Sequence, residues 1–131
     1  MTADRVRLTI DSLSDAARPA RVAGAGMAFR LGLSYQQVED LRVAIDEVFL
    51  LASTYLDGAV QVTYSLFDDA LTFALSPNED HQHQPPETEA MATFSSAVDD
   101  LVASHNVDAD GIIHLRVERP ERDKSTEKAP D

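Results

Sequence analysis

The sequence predicts an α+β fold: a two-layer sandwich with helices on one face of a mainly antiparallel sheet. Three observations predict it. Apolar and polar residues alternate in four short segments, which is the period of a half-buried strand. Three longer segments repeat their apolar residues at spacings of three and four, which is the period of a helix. The segments follow in the order β-α-α-β-β-α-β, with a hairpin in the middle. At 131 residues and 44% apolar composition, the chain is long enough for one domain and greasy enough for one core. We expect that domain over residues 1–119, with residues 120–131, PERDKSTEKAPD, as a disordered charged tail.

Each element has a local cause. In RVRLTID, residues 5–11, Val6, Leu8 and Ile10 share one face. Residues 12–15 supply turn and N-cap chemistry for an Ala-rich helix. Pro19 is tolerated only in a first turn, so that helix starts near residues 15–18, and Gly32 suits its C-cap. Gly24 and Gly26 inside it each cost about 1 kcal/mol relative to Ala. We expect close approach of another backbone to compensate. Ser34 with Gln37 reads as a capping box opening the second helix. There Val38, Leu41, Ile45, Val48, Ala52 and Tyr55 repeat at helical spacing. Residues 48–52 are apolar all round, which predicts burial on several sides, and Asp57-Gly58 ends the helix.

The hairpin pairs Val60, Val62, Tyr64 and Leu66 with Leu71, Phe73 and Leu75 around an Asp68-Asp69 turn. A polar, Pro-containing loop covers residues 76–87. Residues 88–104 read as a helix with Met91, Phe94, Val98, Leu101 and Val102 inward. Residues 108–111 are a turn, and a last strand carries Ile112, His114 (or its neighbours) and Val117.

Composition narrows the function. The chain has no Cys, which removes disulfides, thiolate zinc sites and thiol catalysis. No apolar run reaches the ~20 residues of a membrane span, and MTADRVRLTI has no apolar signal core. We expect a cytoplasmic protein that does not bind membranes. The net charge is −12, which argues against direct binding to nucleic acid. That charge is concentrated: from Val43 to Leu115 there are thirteen Asp or Glu and no Lys or Arg. Such a stretch attracts a basic partner and repels phosphate, or serves as a solvated surface that aids solubility.

Local motifs add little. His81 and His83 have a spacing compatible with a metal site beside Glu79 and Asp80, and a solvated loop is the simpler reading. Asp108, Asp110 and Gly111 fit a calcium loop poorly, since the Gly comes too early and a third acidic ligand is absent. Gly24 and Gly26 lie inside a helix, so they are no dinucleotide fingerprint.

The run LTIDSLSDAARPARVAGAGMAFRLGLSYQQVEDLRVAIDEVFLLAS resembles the bacterial anti-sigma factor kinases of the GHKL ATPase superfamily. Ala20-Arg21-Val22 matches an Ala-Arg-Val step of the family's first helix. Ala44-Ile45-Asp46-Glu47 matches the entry to its N-box helix. The resemblance covers most of residues 5–119 and implies the same sandwich. It also implies an anti-sigma factor that sequesters a sigma factor, is released by an anti-anti-sigma factor, and forms a homodimer. By the same resemblance Arg21 carries the partner contact, with Arg18 and Arg30 as weaker candidates.

The departures are informative. The family's N-box runs Glu, then Asn four residues on, then often His after four more. Here Glu47 is followed by Leu51 and Tyr55. That Asn is the family's magnesium ligand, and a leucine offers the metal no oxygen. The family's Asp-x-Gly-x-Gly motif after the hairpin is replaced by Leu75-Ser76-Pro77-Asn78, and no Gly lies between Gly58 and Gly111 to build a phosphate-wrapping lid. The resemblance therefore implies a degenerate member, similar to eroded actinobacterial anti-sigma factors, with no catalytic residue, metal or cofactor. The alternative is an active ATP-dependent serine kinase of an anti-anti-sigma factor, with Glu47 as general base and ATP and magnesium as cofactors. A plain interaction module from another signalling pathway is a third reading.

Overall fold

A computed structural model describes residues 4–77 and 86–120. Its sheet has five strands in the order β1-β2-β3-β5-β4, and every neighbouring pair is antiparallel. The strands are β1 (Asp4–Ile10), β2 (Val60–Leu66), β3 (Ala70–Pro77), β4 (Ser104–Val107) and β5 (Ile113–Glu118). The predicted alternation sets the register. Val6 lies opposite Tyr64, Tyr64 opposite Phe73, and Phe73 opposite Leu115. Those side chains and their period-two neighbours form the apolar face, and the row Arg7, Thr63, Ala74, His114 and Asn106 crosses the other.

Three helices cover the apolar face: α1 (Ala17–Leu31), α2 (Tyr35–Ala52) and α3 (Thr88–Val98). Gly32 ends α1 in the left-handed region at φ 86°, as its C-cap position predicts. The capping box forms: the Gln37 amide donates to Ser34 Oγ at 3.1 Å, and the Ser34 amide donates to Gln37 Oε1 at 3.0 Å. A 3-10 turn (Leu13–Asp15) precedes α1, whose N-cap is Ala16 and makes no side-chain cap. The core runs from Ala20 and Ala28 through Leu41, Ile45 and Val48 to Val62, Tyr64, Phe73 and Leu75. Tyr64 meets Phe73 edge-on at 5.4 Å, and its hydroxyl donates to the Ala20 carbonyl, which anchors α1 on the sheet.

Several expectations need correction. α3 stops at Val98 rather than continuing to residue 104, and residues 104–107 form the short edge strand β4. In β5 the inward set is Ile113, Leu115 and Val117, one residue out of step with Ile112 and His114. α2 ends at Ala52, before Asp57-Gly58. Leu50 inside the all-apolar run is 61% exposed. At the two glycines of α1 the nearest neighbours are side chains or open space, not the backbone expected. A Cβ at Gly24 would meet Ile45 Cδ1 at 2.8 Å and the Tyr64 ring at 3.4 Å, whereas Gly26 has nothing within 4 Å. His81, His83 and, from Glu121 onward, the charged tail lie outside the described residues.

Candidate functional site

The second helix has two working sides. The capping box fixes its start, and Leu41, Ala44, Ile45, Val48 and Ala52 press it on the sheet. Glu47 and Leu51, four residues apart, share one side of α2, and Tyr55 follows in the turn just past its end. Glu47 is half-buried, and Leu51 is only 3% exposed within the core. The Tyr55 hydroxyl donates to the Gly111 carbonyl at 2.6 Å, which ties the end of α2 to the turn before β5. Burial, with the nearby Asp108 carboxylate adding to it, pushes the Tyr55 hydroxyl up to about 12. Of this line only Glu47 offers a hard oxygen: Leu51 is aliphatic and the Tyr55 phenol is already engaged with backbone, so the position four residues after Glu47 gives a magnesium ion no ligand.

The Gly111 turn is itself well built. Asp108 Oδ1 accepts from the Asp110 amide at 2.9 Å and the Ile112 amide at 3.1 Å. Asp108 Oδ2 lies 2.9 Å from His114 Nε2. Burial pushes this carboxyl up, but those hydrogen bonds outweigh it and hold it below its ordinary value. Among the described residues, no group of three or more His, Asp or Glu could hold a metal ion.

The other side of α2 faces away from the sheet beside α1. Leu50 and Val43 are seven residues apart on α2, and Phe29 and Val22 are seven apart on α1. All four are exposed: Phe29 at 81%, Val22 at 67%, Leu50 at 61% and Val43 at 48%. Tyr35, at the first turn of α2, is 80% exposed. Between the helices, Arg21 Nη1 donates to Asp46 Oδ1 at 2.6 Å. Toward the C-terminal end of α2 the seam opens into a groove of about 570 Å³. Leu13, Ala17, Phe49, Leu50 and Leu56 line it, with Asp46 and Asp57 also on its wall.

The three candidate arginines do not form one cluster. Arg18 is exposed on the first turn of α1, and Arg21 lies one turn on and is paired with Asp46. Arg30 is at the far end of α1, about 14 Å along the axis from Arg21, and is bonded to Asp4 of β1. Glu47 sits about 100° around α2 from Asp46, so it is on a different side from Arg21. The sequence reading missed the apolar stripe. Its signal was present in Val22, Phe29, Val43 and Leu50, which fall off the inward repeat of their own helices.

No family model matches the chain. Over 80 residues it is 28% identical to the serine-protein kinase RsbW of Listeria innocua serovar 6a, an alignment covering 57% of this chain and 51% of the relative. The serine-protein kinase RsbW of Listeria monocytogenes serotype 4a matches to the same extent. The chain spans about half the length of the curated relatives it matches. No helix among the described residues is long and apolar enough to cross a membrane.

Proposed function

We propose that this chain is an anti-sigma factor. It sequesters a sigma factor through the outward face of α1 and α2, and an anti-anti-sigma factor releases it by competing for an overlapping surface. The observation that carries this reading is the exposure of four apolar side chains, Val22 and Phe29 on α1 and Val43 and Leu50 on α2, on two helices that the Arg21–Asp46 pair joins. Water-facing side chains of that size on two adjacent helices suit a protein interface. The acidic stretch from Val43 to Leu115 favours a basic partner such as a sigma factor, and the likeness to the RsbW kinases points to the same regulatory class.

Arg21 is 29% exposed in its pair with Asp46, so a partner carboxylate can take over its guanidinium through a charge-assisted bond. Arg18, exposed one turn before Arg21, lies beside that contact, and Arg30 at the far end of α1 would make a separate, outlying one. The protein acts in the cytoplasm, where its partner works, and pairs as a homodimer. The decisive experiment is capture of purified sigma factors by the chain and by Arg21→Glu. Loss of capture in the variant is expected, and unchanged capture removes Arg21 from the interface.

A kinase reading has two supports: the retained Glu47 and the similarity to serine-protein kinases. It requires ATP and magnesium beside α2, where Leu51 is buried and Tyr55 is bonded to Gly111. Calorimetry with Mg-ATP separates the two. No heat of binding is expected from a binding domain, and micromolar affinity would reinstate the kinase.

A further inference from the structure

The groove at the C-terminal half of α2 has a composition that selects its occupant. Leu13, Phe49, Leu50 and Leu56 make it apolar, and they come from three separate chain segments. The segments that border it carry acids: Asp11 and Asp15 are exposed around the turn before α1, Asp57 is exposed after α2, and Asp46 is in the wall. Among the described residues, the cation bonded to one of those acids is Arg21, on Asp46. A nucleotide or a fatty acid would bring negative charge against these carboxylates. A neutral small molecule would leave the carboxylates unused. A helix with one apolar face and basic residues beside it satisfies both the lining and the rim, by the helix-in-groove mode of recognition.

We infer that this groove is the docking site for a cationic amphipathic helix of a partner protein. The apolar face of that helix packs on Leu13, Phe49, Leu50 and Leu56, and its Lys or Arg residues face Asp15, Asp46 and Asp57. The inference rests on the binding reading above, and it specifies the chemistry of the segment bound. Leu50 supplies the clean handle. At 61% exposure it contributes little to the core, so Leu50→Arg folds while placing a like charge and a polar head where the partner packs.

The test uses the full chain and a fluorescein-labelled peptide of about 18 residues, or five helical turns, made of Leu, Ala and Lys in an amphipathic pattern. A scrambled peptide of the same composition and a version with Glu replacing Lys are the controls. Anisotropy should show binding of the patterned peptide alone. Leu50→Arg should weaken it roughly tenfold, and Asp57→Asn should weaken it less. Amide shifts should move at residues 13–17 and 49–58. Equal binding of the scrambled peptide, or shifts confined to the sheet, overturns the inference. So does self-association of the chain that Leu50→Arg abolishes, because the groove then belongs to a second copy.

The same variant is then tried in capture of purified sigma factors. Capture by wild type that survives Leu50→Arg sinks the groove and leaves the anti-sigma reading standing. Patterned-peptide binding at the groove with no sigma factor captured sinks the anti-sigma reading and leaves the groove.

Discussion

Two sides of one helix have had opposite fates. On the side carrying Glu47 and Leu51, α2 is sealed: the leucine is buried in the core, and just past the helix end the Tyr55 hydroxyl is bonded to the Gly111 carbonyl. On the side carrying Val43, Asp46 and Leu50, the helix is open, apolar and acidic, and it borders a groove. Both sides use apolar residues at helical spacing. The difference lies in what the rest of the fold supplies as cover. The fold closes the first side from within, and it leaves the second for another molecule.

Substitutions can break that contrast, and the largest effect should come from the sealed side. Leu51→Asn, which introduces the Asn of the kinases that the sequence resembles, places an amide where the core is dry. It should lower stability by about 2–4 kcal/mol in urea denaturation. A neutral outcome would mean that this side is wet. Tyr55→Phe deletes the bond to Gly111 and should cost about 1 kcal/mol. It should also change the alkaline limb. The Tyr55 hydroxyl is raised when folded, so its contribution is whole below the unfolded value near 10 and is lost as pH rises through about 12. The wild type should therefore lose more stability than the Phe variant over that window.

On the outward faces, effects should be small or favourable. Gly26→Ala meets open space and should stabilise α1 by about 0.5–1 kcal/mol. The same change at Gly24 runs into Ile45 at 2.8 Å and should not show that gain. Leu50→Ser should leave thermal stability within about 0.5 kcal/mol of wild type. A large loss there would show that the open side is packed after all, and the comparison would fail.

Much of this is legible in the sequence. The capping box, the hairpin and the Gly32 cap each rest on local chemistry that acts within a few residues, and each formed. β4 was not legible, because Ser104, His105 and Asn106 have no strand propensity of their own. They are held by pairing with β5, a partner that only the tertiary fold brings near. The one-residue misreading of β5 has a similar origin, since Ile112 and Ile113 are both apolar and only the pairing of Ile113 with Leu75 decides which points inward. The site split the same way. Leu51 and Tyr55 are singled out through the N-box spacing of the kinases that the sequence resembles. Leu50 is harder to single out, because it sits in a run of five apolar residues and only its place off the inward repeat marks it. Arg21 could be singled out, but its bond to Asp46 depends on how the two helices lie side by side.

One hydrogen bond near the groove has a kinetic consequence. The Leu13 amide donates to the Gly58 carbonyl at 2.9 Å, clamping the segment that leaves β1 to the segment that enters β2. Both segments wall the groove. The recess is thus shaped in advance, and a visitor has little loop to immobilise on arrival. For such a preset recess, changes at its floor register mainly in how long a complex lasts, and hardly in how fast it forms.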